Sequence, residues 1–383
     1  MTDQKFEGDS RHYTLLTLIG RNFEGNAVVH IARHGPSGDL VAIRRINLEK
    51  MTDGFVGLNQ ACQFSKLMQH EHIMSFHTSF VHCNELWVVM PLMEHGSVRD
   101  LLDRNCPDGL KENVIAQIMR DVVLAIDYIH KMGFIHRSIK ASHILLTRSG
   151  GIHLSGLRTA ISMIEDGKRL KAVFDFPSTN TVRNLPWLAP EVLEQNLLGY
   201  DAKSDIYSVG IAACELANGC VPFSDMVPMK MLLEKINGTT PKLLDSSTLC
   251  EDENTAQPEE GRVDSGIGGS RGLANIPNPY ERRFSSHFHD FIEVCLRREP
   301  SERPSAHQLL GHPFLKQARK LSSEVLSPLL QAVHPLSQLT EGKVDEQSKF
   351  TVQHHTDNSE VGNIADAVQR LEALDMVDPW TFD

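Results

Sequence analysis

The sequence predicts an α+β chain, a small β-rich lobe followed by a larger helical lobe, and three observations carry that reading. Between Tyr13 and Met93 the apolar residues fall in short runs rich in branched and aromatic side chains, YTLLTLIG, NAVVHIARH, LVAIRRINL and ELWVVMPLM, separated by polar turns. After Gly96 the apolar spacing becomes helical. The 383 residues, 41% apolar and 23% charged, suffice for two such lobes with a sizeable core and a tail.

Residues 1–12 form a short N-terminal segment, and MTDQKFEGDS has no apolar signal core. The β-rich lobe spans 13–93, interrupted by one helical stretch from roughly Phe55 to Gln69. The helical lobe spans 94–315. ENVIAQIMRDVVLAIDYIHKMG places Val114, Ile118, Val122, Ala125 and Ile129 on one face, and Gly133 is the expected C-cap. KSDIYSVGIAACELANG is apolar nearly all round, which predicts a helix buried inside this lobe. Residues 245–279, rich in Ser, Gly, Pro and acids, break the periodicity and read as a flexible surface insertion. Helical signals return from Ser285 to His312. A tail covers 316–383, with a polar stretch at 340–362 and the end DMVDPWTFD.

The formal net charge of −11, with acids gathered near 251–260, argues against nucleic acid as a partner. Seven cysteines at Cys62, Cys83, Cys106, Cys214, Cys220, Cys250 and Cys295 contain no Cys-x-x-Cys pair, so no zinc site is expected. No segment is apolar for long enough to cross a bilayer, and no membrane partner is expected. A reducing intracellular compartment follows as the expectation.

Five ordered segments bear a joint resemblance. VAIRRINL resembles the third strand of a protein kinase, HRSIKASH its catalytic loop, LPWLAPE the end of its activation segment, and KSDIYSVG and ERPSA helices of its larger lobe. The resemblance covers about residues 13–315 and implies a bilobal protein-kinase-like fold. The chemical positions depart from it. The third-strand lysine is Arg44, and Ala61 stands where the partner glutamate belongs. In the catalytic loop Ser138 replaces the aspartate and His143 the metal-binding asparagine, while His136, Arg137 and Lys140 remain. The metal-binding D-F-G reads Gly156, Leu157, Arg158, so no side-chain carboxylate is offered to Mg²⁺. Losing a positioned base costs roughly 100- to 10,000-fold in rate. Base, metal ligands and lysine–glutamate pair are absent together, so no catalytic residue is expected. The first glycine of the phosphate loop is present as Gly20, but GRNFEGNAVV runs about two residues long before the next strand and reads first as an ordinary hairpin turn.

Three basic or imidazole side chains, Lys140, His143 and Arg158, stand where metal chemistry would occur, with Arg44 a fourth. Converging, they would neutralise triphosphate oxygens without Mg²⁺, so metal-independent ATP binding is expected. The alternative is that Lys140 and Arg158 form internal salt bridges and His143 packs locally. Met93, in the hinge run MPLME, can offer adenine both backbone groups. Asp205, Trp187, Pro190, Glu191 and Arg303 match positions that hold the larger kinase lobe together, with Glu191 and Arg303 the expected buried ion pair.

RRINLE, NELWVV, HRSIKASHILL, LSGLR, LPWLAPEVL, GYDAKSDIYSVGI and ACELANG together resemble the Sterile-20-related kinase adaptor (STRAD) family. That resemblance implies a catalytically inactive pseudokinase adaptor of cytoplasm and nucleus. Its implied partners are a serine/threonine kinase, liver kinase B, which it activates allosterically, and a helical-repeat scaffold of the mouse-protein-twenty-five type. The family's C-terminal Trp-Glu-Phe corresponds to Trp380, Thr381 and Phe382, followed by Asp383; both aromatic anchors are kept, and scaffold docking there is expected. The competing reading is a weakly active serine/threonine kinase with an atypical site.

Overall fold

The computed structural model describes residues 6–21, 26–49, 64–176, 184–195, 197–248, 282–319 and 325–340. The chain divides into two compact units, Met1–Thr52 with Phe76–Glu94 and Pro335–Asp383, and Asp53–Ser75 with His95–His334.

The first unit is a five-stranded antiparallel sheet. Its strands are β1 (Tyr13–Arg21), β2 (Ala27–His34), β3 (Leu40–Asn47), β4 (Thr78–His82) and β5 (Glu85–Pro91), in the order β1-β2-β3-β5-β4. Alternation along the strands sends successive side chains to opposite faces. Tyr13, Ala32, Val41, Ile43, Trp87 and Val89 form one apolar cluster. Ile19, Val29, Ile31 and Ala42 form another, with Leu336 of the C-terminal segment packed among them. Arg44 lies opposite Val29 of β2 and Val88 of β5. Its neighbour Arg45 instead makes a two-pronged pair with Glu85, at 2.8 and 3.0 Å.

The second unit is mainly helical. After the helical turn at 64–67, α1 (Val98–Asn105) starts with a reciprocal capping box, in which the Asp100 N–H donates to Ser97 Oγ and the Ser97 N–H to Asp100 Oδ2. Next comes α2 (Glu112–Lys131), with Val114, Ile118, Val122, Ala125 and Ile129 all buried as the spacing predicts. Gly133 follows it at φ 82°, the left-handed value expected of its cap. Beyond α3 (Pro190–Glu194), α4 (Lys203–Asn218) runs through the core, buried on every side from Ser204 to Leu216. Two more helices, α5 (Pro228–Ile236) and α6 (Ser286–Cys295), precede short terminal ones.

Of the insertion expected over 245–279, residues 249–279 lie outside the described residues, but 245–248 do not read as a flexible surface: they are anchored through buried Asp245, because its carboxylate ties them to the chain that resumes at 282. Buried Asp245 accepts hydrogen bonds from Ser247 and from the Phe284 N–H at 2.9 Å, and pairs with His289 at 3.0 Å. The Ser246 N–H donates to the Arg282 carbonyl, and Arg282 returns a bond to the Leu244 carbonyl. The helical stretch expected over Phe55–Gln69 is described only from residue 64, helical to residue 67. Ala61, residues 22–25, Trp380 and Phe382 lie outside the described residues.

Candidate functional site: the HRSIKASH loop

The loop between the two-residue strand Phe134–Ile135 and the strand Ile144–Leu146 is anchored from below by one carboxylate. Asp205, in the first turn of α4, is fully buried. Its oxygens accept the N–H groups of His136 and Arg137, each at 2.8 Å, and it pairs with His130 Nε2 at 2.8 Å. Burial alone would raise the Asp205 pKa, but the hydrogen bond and charge of His130 hold it below the ordinary carboxylate value. A second buried carboxylate, Glu215, accepts the Ala141 N–H and Trp187 Nε1, both at 3.0 Å. Two acids on the core helix α4 therefore fix both ends of the loop.

His136 is buried, and burial lowers its pKa. Its Nδ1 accepts the Ser138 N–H, which leaves Nε2 to donate to the Ser155 carbonyl at 2.9 Å. Arg137 sits at φ 65°, a left-handed conformation rare outside glycine. Its guanidinium donates to the carbonyls of Thr159 and Asp175, to Asp175 Oδ2 and to the Tyr200 hydroxyl. Tyr200 in turn donates to the Asp175 carbonyl at 2.6 Å. An acid within the chain thus holds the loop arginine to the segment that follows.

His143 and Gly156, the positions that the sequence resemblance sets against a kinase's metal ligands, lie in contact. Buried His143 places Nδ1 2.8 Å from the Ser138 carbonyl and 3.1 Å from Ser138 Oγ. The same ring lies against Gly156, which has φ 88°. A Cβ added at Gly156 would lie within 3.0 Å of Nδ1, Cε1 and Cγ of that imidazole. Space and backbone conformation both exclude a side chain there. The space that a side chain at 156 would enter is filled by the His143 imidazole, which carries no negative charge. Among the described residues no cluster of three or more His, Cys, Asp or Glu is arranged to hold a metal ion.

The remaining expected ligands have separate settings. Lys140 donates to Asn184 Oδ1 at 3.1 Å and lies 5.6 Å from the Trp187 ring centre. Arg158 is half-exposed in the short turn Leu157–Thr159 and makes no hydrogen bond or ion pair among the described residues. Among the described residues Arg158 lacks the internal salt bridge of the alternative reading, whereas His143 packs locally as that reading has it. Arg44, half-buried, and Met93, buried, belong to the first unit. The donor set of ammonium, guanidinium and imidazole suits an anion such as a triphosphate, not Mg²⁺.

Below the loop, Arg303 makes its expected bidentate pair with Glu191, at 2.6 and 2.9 Å, with both residues buried. Sequence reasoning missed Asp175, Tyr200, Asn184 and Glu215. Tyr200 and Glu215 lie inside quoted runs, but nothing in their spacing marks their partners. No described helix is long and apolar enough to cross a membrane.

Comparison with known proteins places this geometry. The protein kinase domain model matches residues 13–315. The chain is 50% identical over 341 residues to STE20-related kinase adapter protein alpha of Gallus gallus, covering 87% of each chain. The Mus musculus alpha protein is 46% identical over 379 residues, 97% of this chain and 84% of that protein. STE20-related kinase adapter protein beta of Homo sapiens is 41% identical over 329 residues, 83% of this chain and 78% of that one.

Proposed function

Because the chain belongs to the STE20-related kinase adapter proteins, a branch of the protein kinase fold, we propose that it acts as a pseudokinase adaptor. In this reading it does not transfer phosphate. It binds a serine/threonine kinase, liver kinase B, and activates it allosterically, together with a helical-repeat scaffold of the mouse-protein-twenty-five type. The observation that supports the reading is the His143–Gly156 contact, in which the imidazole leaves no room for a side chain at 156.

The physical basis is differential binding. An adaptor that contacts only the competent conformation of its partner shifts the partner toward that conformation, by as much as its two affinities differ. Such a surface has to be held still. The Asp205 and Glu215 anchors and the Arg137–Asp175–Tyr200 network supply that rigidity without turnover.

Metal-independent ATP binding belongs to the same reading, with Arg44, Lys140 and Arg158 toward the phosphates and the Met93 backbone toward adenine; the fourth expected ligand, His143, is buried and held by Ser138 and is left out. A nucleotide at a hundredfold excess over its dissociation constant would stabilise the fold by about 2.7 kcal/mol. The aromatic pair Trp380 and Phe382 is assigned to the scaffold, and the complex to cytoplasm and nucleus.

Radiolabelled ATP with Mg²⁺ and a generic substrate separates this reading from a weakly active kinase. The adaptor reading expects no transfer; transfer abolished by Lys140→Ala or Arg44→Ala would establish the enzyme instead. Deleting residues 380–383 is expected to weaken capture by the scaffold, and undiminished capture removes that assignment.

A further inference from the structure

The first unit contains a contact that its sheet does not require. Residues 335–340 come from the end of the described chain and belong to this unit. Leu336 is 6% exposed. It packs in the cluster of Ile19 on β1, Val29 and Ile31 on β2 and Ala42 on β3, with Met90 and Leu92 at the margin. Two hydrogen bonds pin it there. The Leu336 N–H donates to the Glu94 carbonyl at 2.8 Å, and Ser337 Oγ donates to Glu94 Oε2 at 2.9 Å. Pro335 pre-sets the backbone just before the contact, and Leu336–Thr340 closes into a tight turn. The next leucine, Leu339, stays 52% exposed, so burial is specific to Leu336.

We propose that residues 335–340 supply in cis an apolar wall of the base pocket, with Leu336 contacting the adenine ring of a bound nucleotide. This rests on the metal-independent ATP reading above. A flat base bonded to the backbone at Met93 has to lie against the apolar face that borders that run. Ile19, Val29 and Ala42 make that face, and Leu336 is a member of the same cluster. The residue that pins Leu336, Glu94, directly follows Met93. Leu336 is already nearly buried, so it offers the base a pre-formed apolar contact and its dispersion attraction, not newly buried area on the leucine. Linkage makes the coupling reciprocal: the docked segment tightens nucleotide binding, and nucleotide tightens docking of the segment, by one factor.

The test is calorimetric titration of the full chain with ATP in chelator, and separately with inorganic tripolyphosphate, which has no base. Leu336→Asn is expected to weaken ATP about tenfold, equivalent to about 1.4 kcal/mol. Tripolyphosphate binding is expected to stay unchanged, and Leu336→Met to restore ATP affinity. ATP is also expected to slow amide exchange of residues 336–340. Equal ATP affinity in Leu336→Asn overturns the proposal, and tighter affinity shows that the segment competes with the base. Equal loss of both probes overturns it too, since Leu336 then only supports the fold. If the wild-type chain binds tripolyphosphate but not ATP, or neither, the nucleotide reading has failed and the wall fails with it. Wild-type ATP binding with an indifferent Leu336→Asn condemns the wall alone.

Discussion

Replacing Gly156 by alanine probes the His143–Gly156 contact directly. Two costs are expected, and the structure separates them. At φ 88° any Cβ meets left-handed strain of about 1–2 kcal/mol. The same Cβ would lie within 3.0 Å of three atoms of the His143 ring, which is buried and bonded to Ser138. Overpacking of that kind costs about 1–3 kcal/mol. Only the second cost depends on the imidazole. In a His143→Ala background, Gly156→Ala should therefore keep the backbone penalty and lose the collision. The double-mutant cycle is expected to give a coupling of about 1–3 kcal/mol. Urea denaturation of the four full-length chains, with slopes compared to verify a common transition, measures it. A Gly156→Ala chain within about 0.5 kcal/mol of wild type, the usual range for inconsequential substitutions, would refute the reasoning. So would an equal loss in both backgrounds. Restoring the kinase residue types with Gly156→Asp and His143→Asn is expected to leave Mg²⁺-dependent transfer absent, because Ser138 and Arg44 remain.

Three further outcomes follow from buried charges in the second unit. Lys235 is fully buried against Tyr207 and Phe223, donates to the Pro186 carbonyl, and has its pKa pushed down by burial to about 7. A depressed ammonium pKa means that the unfolded chain binds the extra proton, so stability should rise between about pH 7 and 10. Lys235→Met should flatten that rise, and an unchanged slope would contradict it. Asp245 is the opposite case. Burial opposes ionisation, but Ser247, the Phe284 N–H and His289 hold its carboxyl well below the usual range. Its stabilisation is present above the unfolded carboxylate pKa near 3.9 and is lost as pH falls further. Asp245→Ala should remove that part of the acid limb of the unfolding midpoint. Arg303→Met leaves Glu191 buried without its partner and should cost about 3–5 kcal/mol in denaturant titration; a loss below 1 kcal/mol would contradict the buried pair.

Much of this architecture was legible because it follows from periodicity. The strand runs and the helices around Val122 and Val209 announce their buried faces by spacing alone. Glu191 and Arg303 were legible through motif position, although 112 residues separate them. The candidate site was legible only as missing groups, since a sequence shows that position 156 lacks a carboxylate but not what fills the space. That His143 fills it depends on a ring orientation set by Ser138. Asp175 escaped notice because an acid in an irregular stretch carries no period, and its role arises from the left-handed turn at Arg137. Leu336 escaped for a related reason. Its burial depends on bonds to Glu94, 242 residues earlier in the numbering, and no local pattern encodes such a pairing.

The most direct measurement is the activity of the partner kinase, assayed with and without this chain in the presence of the scaffold. The adaptor account predicts that the partner's activity rises on addition of the wild-type chain while the chain itself transfers no phosphate. Partner activity left flat by a folded, scaffold-bound chain would contradict it, as would stimulation that tracks phosphate transfer by the chain itself.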